Sequence, residues 1–260
     1  MSKNYWQDRE AQAQAKITER TVKETEELIA KSYRTSANKI IEEYEATYTK
    51  LLETLADGKE ATPADLYKLD KYWQMNSKIN AELQKMGLKQ EKLLSRQFLK
   101  EFAEIYESIS FNDISTFSTI DREGMLKAIN SIWCADGKTW SSRIWDNIGY
   151  LTETLQEEMI HCVITGKKTS DLKKMLMERF NVSFSQADSL VRTEMAHIQT
   201  TAAQQRYKDY GITKVQVWAD ADERRCDVCG KLHEKIYSVY ESMPIPAHPR
   251  CRCSIIPVVD

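Results

Sequence analysis

The stretch CDVCGKLHEKIYSVYESMPIPAHPRCRC, Cys226 to Cys253, decides how the C-terminal part of this chain folds. It holds four of the six cysteines, two of the four histidines and three of the five prolines. Everything before it is a succession of long, polar, helix-forming runs. Cys226 and Cys229 form a C-x-x-C knuckle, a spacing that lets two thiolates reach one tetrahedral zinc. About twenty residues on, HPRCRC supplies His248, Cys251 and Cys253. A pair of ligands from each of two turns is the usual structural zinc solution, and the set Cys226, Cys229, His248 and Cys251 fits it best. Cys253 in place of Cys251, or a cysteine-only set, satisfies the same rule, and His233 is a weaker candidate. A redox dithiol and ordinary buried cysteines are the competing readings. A redox motif opens a helix beside a strand, whereas Pro244, Pro246 and Pro249 point to a turn-rich loop. With five donors available the site reads as closed, hence structural rather than catalytic, and as the staple of strands too short to bury much by themselves.

Working outward from the cluster, the period changes to two at ITKVQVWAD (212–220), where Val215 and Val217 share a face. This predicts a strand, and KIYSV and CSIIPVV predict two more. Upstream the signals are helical. Ile29, Tyr33, Ala37, Ile40, Tyr44, Tyr48, Leu51 and Leu55 recur at steps of three and four, one stripe of an amphipathic helix over about 5–56. At 1.5 Å per residue such a helix would be roughly 75 Å long, so a break or docking along another protein is expected. Gly58 is expected to end it; Thr62 then caps, Pro63 takes the first helical position and Asp65 supports the dipole. The spacing predicts further helices through Leu66–Leu83 stopping at Gly87, through Leu94–Ile109, through Leu126–Trp133, through Ile144–Met159 ending at Gly166, from Ser170 to Phe180, and from about Ser185 to Tyr210. SFNDISTFST reads as a loop. Cys134 and Cys162 read as inert thiols in helical patterns. The expected fold is mainly α with a small α+β C-terminal module: an N-terminal helical arm over 1–110, a central helical region over 118–182, and an α+β module over 183–260 carrying the knuckle.

Composition narrows the function. Charged residues are 29% of the chain and the hydrophobic set 42%, and no apolar run reaches the roughly 18–20 residues that cross a bilayer. The N-terminus lacks an apolar signal region, which predicts a compartment where thiols stay reduced. Net charge is −2, from 37 basic and 39 acidic residues, and from residue 214 onward the two signs balance. That balance gives no support to a dedicated grip on duplex DNA and leaves room for a local basic face. Arg224, Arg225, Arg250 and Arg252 flank the proposed metal and are placed to touch phosphate weakly. On the last long helix, Glu194 and His197 share a face and could bind metal or exchange protons; the plainer reading is a helix face whose Arg192 and Glu194 pair with a neighbour.

At these residues the chain resembles the phage head-morphogenesis, or minor head protein, family with its C-terminal Mu protein F-like domain. The matching pieces are NYWQDR, the region WSSRIWDNIGYLTETLQEEMIHCVITGKKTSDLKKML, then SLVRTEMAHIQTTAAQQRYKDYGI, VWADADERRCDVCGKLHEKIY and IPAHPRCRCSIIPV. The ordered set of R-T-E, the C-x-x-C turn and H-P-x-C-R-C is the specific part. The resemblance implies a virion protein rather than an enzyme, located in the capsid interior at the portal vertex and in the host cytoplasm during assembly. It implies portal protein as partner, with scaffold or major capsid protein and weakly held packaged DNA as further contacts, and no membrane. The N-terminal half would then be an interaction arm with an exposed stripe, and Arg192, Thr193 and Glu194 would have a structural or interaction role. The module has also been linked to ADP-ribosyltransferase-like folds. That chemistry needs a carboxylate pair such as E-x-E after a strand, and the E-x-E spacings here, Glu24/Glu26 and Glu43/Glu45, lie in the N-terminal helix. A zinc-ribbon nucleic-acid binder is the third reading.

Overall fold

The structure, a computed structural model, describes residues 5–55, 62–110, 122–219 and 225–258. Gly58, most of SFNDISTFST and Arg224 lie outside the described residues. In chain order the elements are α1 (Tyr5–Leu55), α2 (Pro63–Tyr67), α3 (Asp70–Ser108), α4 (Arg122–Ile129), α5 (Trp140–Ile164), α6 (Thr169–Asp209), β1 (Lys214–Trp218), α7 (Asp227–Leu232), β2 (Ile236–Ser238) and β3 (Ser254–Pro257). The mainly α fold with a small C-terminal sheet is as the sequence predicts. The chain forms two compact units, neither a single stretch of sequence. One comprises 27–92 and 141–187; the other comprises 1–26, 93–140 and 188–260.

The first unit is helical. The α1 stripe from Ile29 to Leu51 is buried, so it is not the exposed docking face expected of an arm. Its tyrosines explain why. Tyr44 donates to the Leu155 carbonyl at 3.0 Å, and Tyr48 donates to the Cys162 and Lys167 carbonyls at 2.9 and 2.7 Å. The aromatic bodies fill the core while the hydroxyls satisfy backbone oxygens near the end of α5. That helix stops as expected: Gly166 takes φ 59° and the Lys167 N–H returns to the Cys162 carbonyl at 3.1 Å. At the start of α2 the Thr62 N–H donates to Asp65 Oδ2 at 3.2 Å, the reciprocal half of a capping box.

Three helix boundaries differ from expectation. Gly87 does not stop a helix; α3 runs through it. A Cβ there would lie 2.8 Å from Trp145 Cζ3, so the glycine admits an indole against the backbone. Residues 181–184 do not separate two helices, because NVSF contains neither glycine nor proline and α6 passes straight through. Ser183 is buried there, and Asn147 donates to its carbonyl at 2.9 Å. Third, α4 ends at Ile129, so Trp133 and Cys134 lie beyond it, and Cys134 is half-buried in a turn rather than a buried helical thiol. Cys162 is buried in α5.

The second unit holds the sheet, in the order β2–β1–β3, all antiparallel, with Val215 opposite Tyr237 and Val217 opposite Ile255. With only three short strands, the sheet relies on the helices for its polar closure. Gln199 of α6 donates to Ser254 Oγ at 2.7 Å, Gln204 donates to the Val239 and Glu241 carbonyls at 2.7 Å each, and Gln14 of α1 donates to the Tyr207 hydroxyl at 2.9 Å and the Ile255 carbonyl at 3.3 Å. Trp218 closes onto Ala11 and Ile256, its Nε1–H donating to Asp8 at 3.1 Å. These bonds fix β1 and β3, and so the two ends from which the cysteine loops hang.

Candidate metal centre

Cys226 is the N-cap of α7, and its Sγ accepts the Cys229 N–H at 3.4 Å. One turn of helix therefore sets the two knuckle sulfurs side by side. The chain then passes through β2 and the proline-rich loop and returns through HPRCRC. A turn carries the Cys251 N–H to the His248 carbonyl at 3.2 Å, with Arg250 at φ 60°. It places His248 Nε2 at 3.3 Å from Cys226 Sγ and 3.1 Å from Cys229 Sγ. Cys251 Sγ lies 3.7 Å from Cys229 Sγ. The edges of a zinc tetrahedron with ~2.3 Å bonds to sulfur are ~3.8 Å between sulfurs, so the Cys229–Cys251 separation needs almost no adjustment.

The donors form two overlapping trios, Cys226–Cys229–His248 and Cys229–Cys251–Cys253, each with its ligand atoms within 4.8 Å of one another. The buried Cys229 belongs to both. The orientation of His248 is fixed from behind: its Nδ1 lies 2.8 Å from the Pro249 carbonyl, the bond that leaves Nε2 facing the sulfurs as a ligand. That bond, ahead of the neighbouring sulfurs, raises its pKa. The Cys229 amide lowers the Cys226 thiol. Cys251 is held down at about 5, first by the hydrogen bond from Cys253, and the same bond pushes Cys253 well up. Burial pushes Cys229 up to about 12. Crowded sulfurs with too few charges to go round are the donor set a divalent soft cation satisfies. The residues fit a zinc ion with Cys226, Cys229 and His248 as three donors; Cys251, 3.7 Å from Cys229, falls in the second trio with Cys253, and the geometry leaves the fourth place between those two. His233 stands apart; its Nδ1 accepts the Ala219 N–H at 3.2 Å and its ring meets Trp218 edge-on.

The R-T-E segment of α6 is joined to this loop. Thr193 Oγ1 donates to the Ser189 carbonyl at 2.7 Å and accepts the Arg250 N–H at 3.1 Å. Asp188, one turn earlier, receives the Arg250 guanidinium at 2.6 Å and Arg192 at 3.5 Å, while Arg192 also reaches Glu26 at 2.5 Å. Burial, then the hydrogen bond with Asp188, raises the Glu26 carboxyl to about 7. Glu194 is buried and accepts from Trp133 Nε1 at 3.0 Å, and Trp133 stacks on His197 with centroids 4.3 Å apart. Burial holds His197 down at about 4, so at neutral pH it is an uncharged packing group. Arg192, Glu194 and His197 thus each contact residues outside their own segment of α6, Arg192 with Glu26, Glu194 with Trp133 and His197 with Trp133. Asp188, Glu26 and Trp133 escape sequence reasoning, although Asp188 stands at i−4 from Arg192, where a pair can be expected. Of the flanking arginines, Arg225 and Arg252 are exposed, and Arg250 is committed to Asp188.

No solved structure matches this chain. A curated protein, the NAD(+)–arginine ADP-ribosyltransferase EFV of Enterococcus faecalis, is 25% identical over 281 aligned positions. The alignment covers 99% of this chain and 55% of that protein, so the chain spans about half the length of the curated relative it matches. Residues 153–256 match the family described as phage Mu protein F like protein. That range takes in R-T-E, β1, β2, most of β3 and every candidate metal ligand, and over it the C-terminal part of the chain is similar to that family.

Proposed function

We propose that this chain is a minor structural protein of a tailed-phage head, associated with the portal inside the procapsid and acting in head morphogenesis, DNA packaging or genome delivery. The observation that carries the reading is the Mu F-like match over residues 153–256. The site supports a structural role within it. The donors form a closed thiol–imidazole cluster, and the residues that invite catalytic readings are spent on packing: Arg192 and Arg250 on Asp188, Thr193 on the loop, Glu194 on Trp133. The zinc is a staple in this reading, and the chain is not an enzyme.

The second reading is enzymatic and rests on the printed activity of the Enterococcus relative. Against it, both E-x-E pairs sit on α1 in ion pairs rather than after a strand: Glu24 with Lys100, Glu26 with Arg192, Glu43 with Lys78 and Glu45 with Lys173. Quantitative mass spectrometry of purified particles, with cross-linking to portal, tests the first reading. A few copies per particle cross-linked to portal is the expected result. Absence from heads and from assembly intermediates, together with turnover of NAD by the purified chain, would move the assignment to the enzyme.

A further inference from the structure

The helical unit carries a groove of about 720 Å³ that neither the metal cluster nor the R-T-E segment uses. One wall is aromatic. Trp73 is 55% exposed, stacks on Tyr67 with centroids 5.9 Å apart and meets Tyr72 edge-on at 5.4 Å. Its indole is held in place, because Nε1–H donates to the Tyr67 carbonyl at 2.8 Å. The other wall, from α5, presents Glu153 and Glu157. They are like charges one helical turn apart, an arrangement that destabilises a helix slightly, and among the described residues neither has an ion-pair partner. Asn76 also lines the groove but is only 5% exposed, with its Oδ1 closed to solvent. No lysine or arginine lines the groove.

A preset aromatic face opposite two carboxylates, with no basic side chain in the lining, calls for a flat cation rich in N–H donors. We propose that this groove receives an arginine side chain from a segment of another protein, its guanidinium stacked on Trp73 and donating to Glu153 and Glu157. Guanidinium suits the site better than ammonium, because it stacks on aromatic faces and donates in a planar fork. The inference stands apart from the head-protein reading and holds whichever particle or complex supplies the arginine.

The test uses the full chain and three short peptides, acetyl-Gly-Arg-Gly-amide and its citrulline and lysine counterparts. Binding is followed on the Trp73 indole N–H resonance, assigned by its loss in Trp73→Phe. The arginine peptide should shift that resonance saturably at millimolar concentration. Citrulline, nearly the same shape without the charge, should bind at least about tenfold more weakly, as should the arginine peptide to Glu153→Gln/Glu157→Gln. Both glutamates are exposed, so an unchanged melting temperature certifies the fold of that variant. A shift that does not saturate, equal binding of citrulline, tighter binding of the lysine peptide, or no effect of the double substitution would each overturn the proposal.

Discussion

Cys229 is the sulfur both trios share, and single substitutions around it separate the competing ligand sets. If zinc holds the site, Cys229→Ser should remove it, taking bound zinc from about one per chain to near zero and lowering the melting temperature by several degrees. Cys253→Ser should keep its zinc if Cys251 is the fourth ligand, whereas Cys251→Ser should lose it. Metal analysis by mass spectrometry of the purified variants decides, and retention in Cys251→Ser with loss in Cys253→Ser would reverse the assignment. A buried carboxyl away from the metal gives a second prediction at this scale. Glu101, fully buried, accepts from Thr18 through Oε1 while Oε2 has no partner. Burial pushes its pKa up to about 7, against the lowering effect of Thr18 and Thr21 and a smaller balance of Glu104 and Arg20. Because the folded value lies above the unfolded one, the folded state binds the extra proton. Stability is greatest below about pH 4.5 on this account and declines as pH rises to about 7. Glu101→Gln, which keeps the acceptor for Thr18, should therefore flatten that decline and stabilise the protein at pH 8 by about 2–3 kcal/mol. Urea melts at pH 5 and pH 8 check it, and an equal change at both would refute it.

At the scale of elements, what the sequence makes legible is periodicity and what it hides is contact. The Ile29–Leu51 stripe, the Gly166 stop and the alternation of Val215 and Val217 are local signals, and the elements follow them. So is the spacing of the cysteines and His248, which the fold gathers into two trios that share Cys229, Cys226–Cys229–His248 and Cys229–Cys251–Cys253. Gly87 misleads because its reason lies 58 positions along the chain, in the Trp145 ring. The outward stripe of an arm misleads similarly, since Leu155 and Cys162, the acceptors that bury Tyr44 and Tyr48, are distant in sequence. The glycine account can be tested with a control inside the same unit. Gly149 in α5 has nothing within 4 Å of an added Cβ, so Gly149→Ala should stabilise by about 0.5–1 kcal/mol through helix propensity alone. Gly87→Ala earns the same propensity but drives a methyl group into the indole, and should destabilise by about 1 kcal/mol or more. Equal gains at both positions would show that Trp145 yields freely and that Gly87 has no packing role.

For the molecule as a whole, the Cys/His cluster and the helices make unequal demands on one another. The strands and α7 together are a small fraction of the chain, while α1, α3 and α6 are 51, 39 and 41 residues long and bury their own apolar faces. The polar anchors on the sheet, Gln14, Gln199 and Gln204, come from helices and do not pass through the cysteines. HPRCRC is different. Its ties to α6 include the Thr193 and Asp188 contacts with Arg250, exposed interactions each worth about 1 kcal/mol or less. Stripping zinc with a strong chelator should therefore leave most of the helical circular dichroism at 222 nm intact while exposing the segment between β2 and β3 to limited proteolysis. Cleavage should concentrate at 239–253, and readdition of zinc should restore protection. If the chelated protein instead loses its helical signal, the cluster supports the whole fold rather than one loop; if protection does not change at all, the cysteines pack as thiols and hold no metal.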